Sequence, residues 1–167
     1  MPCRAFIGVG SNRGNRKAKI LDAIARIDAL KDVRVVKHSS VYESEPHGDL
    51  SGWFLNCVIE LETEVAPDKL LRRLREIERA LGRKRSRAKT KKKPEPRPID
   101  LDILFYENQR IDTSTLQIPH PEIPNRRFVL LPLSELAPQL VHPGTGTTVS
   151  QLLSAAKDNK RLRLFHD

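Results

Sequence analysis

The run Ile99-Asp-Leu-Asp-Ile-Leu-Phe-Tyr106 constrains the fold more than any other segment of the chain. Its apolar density and its β-branched and aromatic residues mark a β-strand. Strand side chains alternate between faces, so Asp100 and Asp102 share one face while Ile99, Leu101, Ile103 and Phe105 are expected on the other. The apolar face requires a covering layer. The acidic face requires water, basic groups or a cation, because aspartate is depleted from strands and like charges on one face repel. By itself an Asp-x-Asp pair fits a solvated strand face as well as a cation site. Hard divalent cations take oxygen ligands, and Mg²⁺ typically uses one or two carboxylates together with substrate phosphates.

The periodicity on either side predicts what covers the apolar face. Ala5–Val9 reads as a first strand, followed by the turn cluster Gly10-Ser-Asn-Arg-Gly14. A helix is predicted from about Asn15 to Leu30, with Ile20, Ile24, Ile27 and Leu30 on one stripe. A second strand is predicted within Val33–Tyr42, then a polar loop, Ser44–Gly52, then a third strand, Phe54–Thr63. That third strand splits into Phe54, Asn56, Val58 and Glu60 on one face and Leu55, Cys57, Ile59 and Leu61 on the other. Pro67 suits the first turn of a second helix carrying Leu70, Leu71, Leu74, Ile77 and Leu81, stopped by Gly82. Beyond the Asp-Leu-Asp strand, helices are predicted from about Asn125 and over Val149–Ala156, and the chain closes on a basic tail. The strand-helix-strand-strand-helix-strand order is that of the ferredoxin-like βαββαβ fold, an α+β class, here with extra C-terminal elements. The chain has 167 residues, enough for one core, and neither repeat nor long linker divides it. Residues 1–167 are therefore expected to form a single domain.

The formal net charge of +9 is concentrated in one place. Residues 83–97 hold nine Lys/Arg against one acid, whereas the other 152 residues hold 21 basic and 20 acidic groups. Such a loop attracts polyanions, whether a nucleotide triphosphate or a nucleic acid. No apolar stretch approaches the roughly 20 residues needed to span a bilayer, and no signal peptide is recognised, so no membrane association is expected. Cys3 and Cys57 lie in or beside strands without metal-site spacing, which predicts reduced core thiols and a cytoplasmic setting.

Several chemistries are excluded. The chain has no Gly-x-x-x-x-Gly-Lys-Ser/Thr loop, no His-Glu-x-x-His and no serine elbow. Gly8-Val-Gly-Ser-Asn-Arg-Gly14 matches no dinucleotide fingerprint and reads as a tight turn, with phosphate binding the lesser alternative. Among five histidines only His120 has distinctive surroundings, Ile118-Pro-His-Pro-Glu-Ile-Pro-Asn-Arg126. It is either a rigid-turn residue or, beside Arg126, a hydrogen-bond donor to phosphate. Asn56 fits a strand poorly and shares its face with Phe54; an amide beside a ring suits a flat hydrogen-bonding heterocycle, or ordinary surface packing.

Behind Phe6-Ile-Gly-Val-Gly-Ser-Asn12 come five segments in order: Ser39-Ser-Val-Tyr-Glu-Ser-Glu-Pro-His-Gly48, Phe54-Leu-Asn56, Ile77-Glu-Arg-Ala-Leu-Gly-Arg83, Arg97-Pro-Ile-Asp-Leu-Asp-Ile-Leu104 and Ile118-Pro-His-Pro…Asn125-Arg-Arg-Phe128. Together they resemble the 6-hydroxymethyl-7,8-dihydropterin pyrophosphokinases. The resemblance implies a ferredoxin-like fold in αβα layers. It also implies transfer of pyrophosphate from ATP to 6-hydroxymethyl-7,8-dihydropterin with release of AMP, in folate biosynthesis. It places Asp100 and Asp102 as ligands of two Mg²⁺ ions held with ATP, and Arg83 and Arg97 as loop arginines acting on the phosphates. Glu78, Ile103, Gln117, His120 and Arg126 fall at ATP-contacting positions; Ser44, Phe54, Asn56 and Phe128 fall around the pterin. The expected partners are these two substrates, with the protein a monomer.

The chain departs from the family pattern just before Asp-x-Asp. Arg-Trp-Gly-Pro-Arg is common there, whereas this chain reads Lys91-Lys-Lys-Pro-Glu-Pro-Arg97, without an aromatic residue. Two rival readings follow: a nucleic-acid-binding module using residues 83–97, and a pterin or nucleotide binder with weak catalysis. The absence of aromatic rings from the basic run, hence of base stacking, speaks against the first.

Overall fold

The structure, a computed structural model, describes residues 1–46, 52–82 and 98–166. In chain order these form β1 (Cys3–Ser11), α1 (Arg16–Asp28), β2 (Val33–His38), β3 (Tyr42–Ser44), β4 (Phe54–Thr63), α2 (Pro67–Ala80) and β5 (Asp100–Tyr106). There follow a short hairpin of β6 (Ile111–Asp112) and β7 (Gln117–Ile118), a 3-10 turn over Ile123–Asn125, α3 (Arg127–Leu136), α4 (Val149–Ala155) and β8 (Leu162–Leu164). Local chemistry starts the helices where it should. Asn15 caps α1 by accepting from the Ala18 N–H at 3.1 Å, Pro67 occupies the first turn of α2, and Thr148 and Gln151 form a capping box on α4.

The main sheet is antiparallel at every pairing, in the order β5-β1-β4-β3-β8, with β2 beside the other half of β4. This is the ferredoxin-like neighbour pattern. Alternation then sorts the side chains into two layers. Ala5, Ile7 and Val9 of β1, Leu55 to Leu61 of β4 in steps of two, and Leu101 and Ile103 of β5 pack against Ile20, Ala23 and Ile27 of α1 and Leu70, Leu74 and Ile77 of α2. On the opposite face Phe6, Val58, Leu104 and Phe105 pack against Val129, Leu130 and Leu133 of α3 and Val149 of α4. The result is αβα layering. Both cysteines are free, as expected, and Cys57 is buried.

Three expectations need correction. Phe105 does not share a face with Leu101 and Ile103. The β1–β5 register shifts between Phe6 and Ile7, so Leu104 becomes an extra residue, and Phe105 turns to the α3 side, where it meets Phe6 edge-on at 6.5 Å. The second strand is β2, within the predicted span, but an unpredicted further strand, β3, follows it and takes in Ser44, the expected first residue of the polar loop. The Ser39 hydroxyl accepts from the Val58 N–H at 2.9 Å, and β2 and β3 pair separate halves of β4. Finally, part of the basic tail is a strand, β8, which pairs with β3 from Tyr42↔Leu164 to Ser44↔Leu162.

Candidate active site

α3 covers only part of its face of the sheet. Beyond Leu104 the sheet floor is made by Gly8 and Gly10, whose missing side chains leave a cavity of about 170 Å³. A Cβ at Gly8 would lie 3.4 Å from Leu104 Cδ2, and one at Gly10 would lie 3.3 Å from Asn56 Oδ1. Register fixes what stands on either side. Gly10 pairs with Asn56 of β4 and with Asp100 of β5, and Gly8 pairs with Asp102. Asn56 and Asp100 are thus two inter-strand spacings apart, about 10 Å, across a strand that has no side chain between them.

Of the residues singled out in the sequence, Ser44, Phe54, Asn56, Asp100, Asp102, His120, Arg126 and Phe128 line this one cavity. They come from β3, β4, β5, the turn after β7, and the start of α3. Glu78 and Ile103 do not line it. Ile103 is 3% exposed in the core beneath the sheet, and Glu78 is buried on α2. Gln117 is exposed on β7 and donates to Asp112 Oδ1 at 3.1 Å. Arg83 and Arg97 lie outside the described residues.

At the amide end, Asn56 Nδ2 donates to Ser44 Oγ at 2.7 Å, so Oδ1 faces the open floor above Gly10 as an acceptor. Phe54 and Phe128 flank the cavity, and the Arg126 guanidinium lies 5.6 Å over the Phe128 ring. At the acidic end, Asp102 lines the cavity with its side chain 27% exposed. Its carboxyl is pushed up to about 7, chiefly by desolvation and then by repulsion from Asp100, with Arg75 pulling the other way. Desolvation and the nearby Arg126 charge lower the His120 pKa, so its ring is neutral near pH 7. His120 Nδ1 accepts from the Glu122 N–H at 3.2 Å, which leaves the ring proton on Nε2.

No motif or periodicity marks Arg75. Its guanidinium donates to Glu78 Oε1 at 2.9 Å and to the Leu101 carbonyl at 2.8 Å, and stands 3.9 Å from Asp102 Oδ1. Glu78 Oε2 accepts from the Leu101 N–H at 2.8 Å. α2 therefore satisfies the outward backbone of Leu101, the residue between the two aspartates, where a neighbouring strand would otherwise pair. An arginine on a helix gives no local signal of this; only the packing of α2 beside β5 reveals it. Gly8 and Gly10, read as part of a turn, are the other functional positions that a linear reading passes over.

The donor set fits Mg²⁺. Two carboxylates project from one strand face and repel each other, with the Arg75 charge offsetting part of that repulsion at Asp102, and among the described residues no third His, Cys, Asp or Glu joins them in a cage. That is the pattern for a hard ion completed by substrate phosphates and water.

A sequence profile of the 7,8-dihydro-6-hydroxymethylpterin-pyrophosphokinase (HPPK) family matches residues 6–138. The chain belongs to this family. The 2-amino-4-hydroxy-6-hydroxymethyldihydropteridine pyrophosphokinase of Methylorubrum extorquens is 41% identical over 142 residues, covering 84% of this chain and 87% of that protein. The folic acid synthesis protein of Pneumocystis carinii is 40% identical over 155 residues, but the match covers only 20% of its length. The crystal structure of Plasmodium falciparum HPPK-DHPS with pteroate superposes with a TM-score of 0.71 at 16% identity, over 92% of this chain and 42% of that one, and shares its fold. As a member of the family, the chain is an ATP-dependent pyrophosphokinase. It transfers pyrophosphate from ATP to 6-hydroxymethyl-7,8-dihydropterin and releases AMP, in folate biosynthesis. The nucleic-acid reading finds no support among these relatives.

Proposed function

We propose that the cavity runs this transfer from end to end across Gly10, with the pterin at the Asn56 end and the ATP phosphates at the Asp100/Asp102 end. The observation that carries the reading is the register: the backbone positions of Asn56 and Asp100 stand about 10 Å apart over a side-chain-free floor, with Asp102 two residues further along, a span that suits one flat bicyclic ring with a hydroxymethyl arm. Asn56 Oδ1 accepts from the donor edge of the pterin while Ser44 fixes the amide's orientation, and Phe54 and Phe128 hold the ring between them. The hydroxymethyl oxygen then points toward the acidic end.

Asp100 and Asp102 would hold two Mg²⁺ ions, which neutralise phosphate charge and fix its geometry when bound with ATP. His120 donates from Nε2 to a phosphate oxygen, and Arg126 supplies fixed positive charge beside it. Arg83 and Arg97 act on the transferring phosphates and Gln117 borders the nucleotide, assignments that rest on the family resemblance, whereas Glu78 and Ile103, both buried away from the cavity, act through the strand that carries the aspartates. No side chain need act as a strong base, because pyrophosphoryl transfer depends on alignment and charge neutralisation. The protein acts as a monomeric single domain in the cytoplasm. Its free cysteines favour a reducing compartment.

The test is AMP release by the purified protein from ATP and 6-hydroxymethyl-7,8-dihydropterin, with and without Mg²⁺. Mg²⁺-dependent AMP formation is expected only when both substrates are present. ATP hydrolysis indifferent to the pterin would refute the reading.

A further inference from the structure

The wall that carries Ser44 is braced from behind by an element outside the stretch matched by the family profile. That stretch ends at residue 138, whereas β8 spans Leu162–Leu164. β8 pairs with β3 along its whole length, and the pairing continues as Glu45 N–H donates to the Arg161 carbonyl at 3.0 Å and Phe165 N–H to the Val41 carbonyl at 2.9 Å. Ser44 and Phe54 face the cavity. Glu43, between Tyr42 and Ser44, therefore faces the rear.

There Glu43 is the hub of an ionic cluster. Its side chain is 12% exposed; Arg16 at the start of α1 contacts Oε2 at 2.8 Å, and Arg163 of β8 meets Oε1 with Nε at 2.9 Å and Nη2 at 2.8 Å. Burial raises the Glu43 pKa, but the hydrogen bonds from Arg163 and Arg16 outweigh it and leave the carboxyl below its ordinary value. The same two arginines reach the residue before Phe54. Arg16 donates to the Trp53 carbonyl at 2.6 Å, and the Arg163 guanidinium lies 4.4 Å over the Trp53 ring, with Arg161 at 5.2 Å. One carboxylate thus links α1, β3, β8 and the entry to β4, directly behind Ser44, Phe54 and, through its bond to Ser44, Asn56.

We propose that Glu43 is a positioning residue for the pterin, with Arg16 and Arg163 as its arms: the cluster holds the β3 and β4 wall at the spacing the ring requires. Glu43 touches no substrate. This inference rests on the placement of the pterin against Ser44, Phe54 and Asn56. It also requires that the phosphate end, on β5 and across β1, be indifferent to the cluster.

The experiment measures AMP release in the unaltered protein, Glu43→Gln and Arg163→Ala, varying each substrate separately. Glu43→Gln keeps the shape and removes the charge held by both arms, and should raise the pterin KM about five- to tenfold. kcat and the ATP KM should stay within twofold. Arg163→Ala removes one exposed arm from a surface strand and should give the same selectivity with a smaller rise. It also serves if Glu43→Gln fails to fold. Trp53 is the sole tryptophan, and its emission in ligand-free Arg163→Ala should shift as the nearer of its two cations leaves the ring. A pterin KM within twofold of the unaltered protein in active variants would overturn this inference alone, as would an ATP KM rising in step with it. Should Ser44→Ala and Asn56→Ala also leave the pterin KM unmoved, the placement of the pterin is wrong and the inference falls with it.

Discussion

Replacing Glu78 with Ala tests how the Asp-Leu-Asp strand is held. Glu78 is 1% exposed and serves as acceptor for both the Leu101 N–H and Arg75. Removing it leaves a buried backbone N–H without its acceptor, at about 1–3 kcal/mol. The Arg75 side chain is 23% exposed, so losing its ion-pair partner adds only about 1 kcal/mol once solvent screening is counted. The expected loss is about 2–4 kcal/mol, or roughly 5–15 °C in Tm for a chain of this size. Glu78→Gln keeps a carbonyl for the Leu101 N–H and should lose about 1 kcal/mol. Thermal unfolding by circular dichroism gives the stabilities, and the ATP KM separates the tie to β5 from a direct nucleotide contact. A role confined to contacting ATP would raise KM with Tm unchanged. Glu78→Ala within 1 kcal/mol of the unaltered protein, or no better tolerated as Gln, would refute the reasoning.

Other outcomes follow from the same geometry. Asp100→Asn and Asp102→Asn should each lower kcat by orders of magnitude in the AMP-release assay without lowering Tm, since each relieves a like-charge repulsion. In protein free of metal and nucleotide, the raised Asp102 pKa means that the folded state keeps a proton the unfolded chain gives up. Stability should therefore fall as pH rises from about 4 to about 7, and Asp102→Asn should flatten that slope in a pH series of denaturant unfolding. Asn56→Ala should weaken pterin binding by about 1–3 kcal/mol in calorimetry with a non-hydrolysable ATP analogue, because ring donors lose their acceptor. Gly10→Ala places a methyl 3.3 Å from Asn56 Oδ1 on the cavity floor and should weaken the pterin in the same titration, with ATP-analogue binding kept.

The long elements were legible because their periodicity extends over whole turns or strand pairs: α1, α2, β1, β4 and β5 fall where the pattern put them. What escaped was whatever a single residue decides. One extra residue at Leu104 reverses the face of Phe105, and alternation cannot announce its own interruption. β8 is Leu-Arg-Leu, too short a run to distinguish from a basic tail, and it is a strand because β3 offers an edge to pair with. The site was more legible than its supports. Asn56, Asp100 and Asp102 stand out because their side chains suit strands poorly, so their presence asks for a reason. Arg75, Glu43 and Arg163 sit where charged residues are ordinary, and only their partners distant in sequence give them a role.

The register explains why the poorly fitting residues lie where they do. β1 is paired on both sides, and its two glycines align Gly10 with Asn56 and Asp100, and Gly8 with Asp102. A one-residue slip of β5 against β1 would turn both aspartates into the α1–α2 core and bring Leu101 and Ile103 onto the cavity floor, which burial forbids. The hydrophobic requirement that selects the fold thus also selects the register, and the register sets the distance from amide to carboxylates. Any side chain on β1 at Gly10 would stand between them, so the strand that fixes the site's length must itself be bare there.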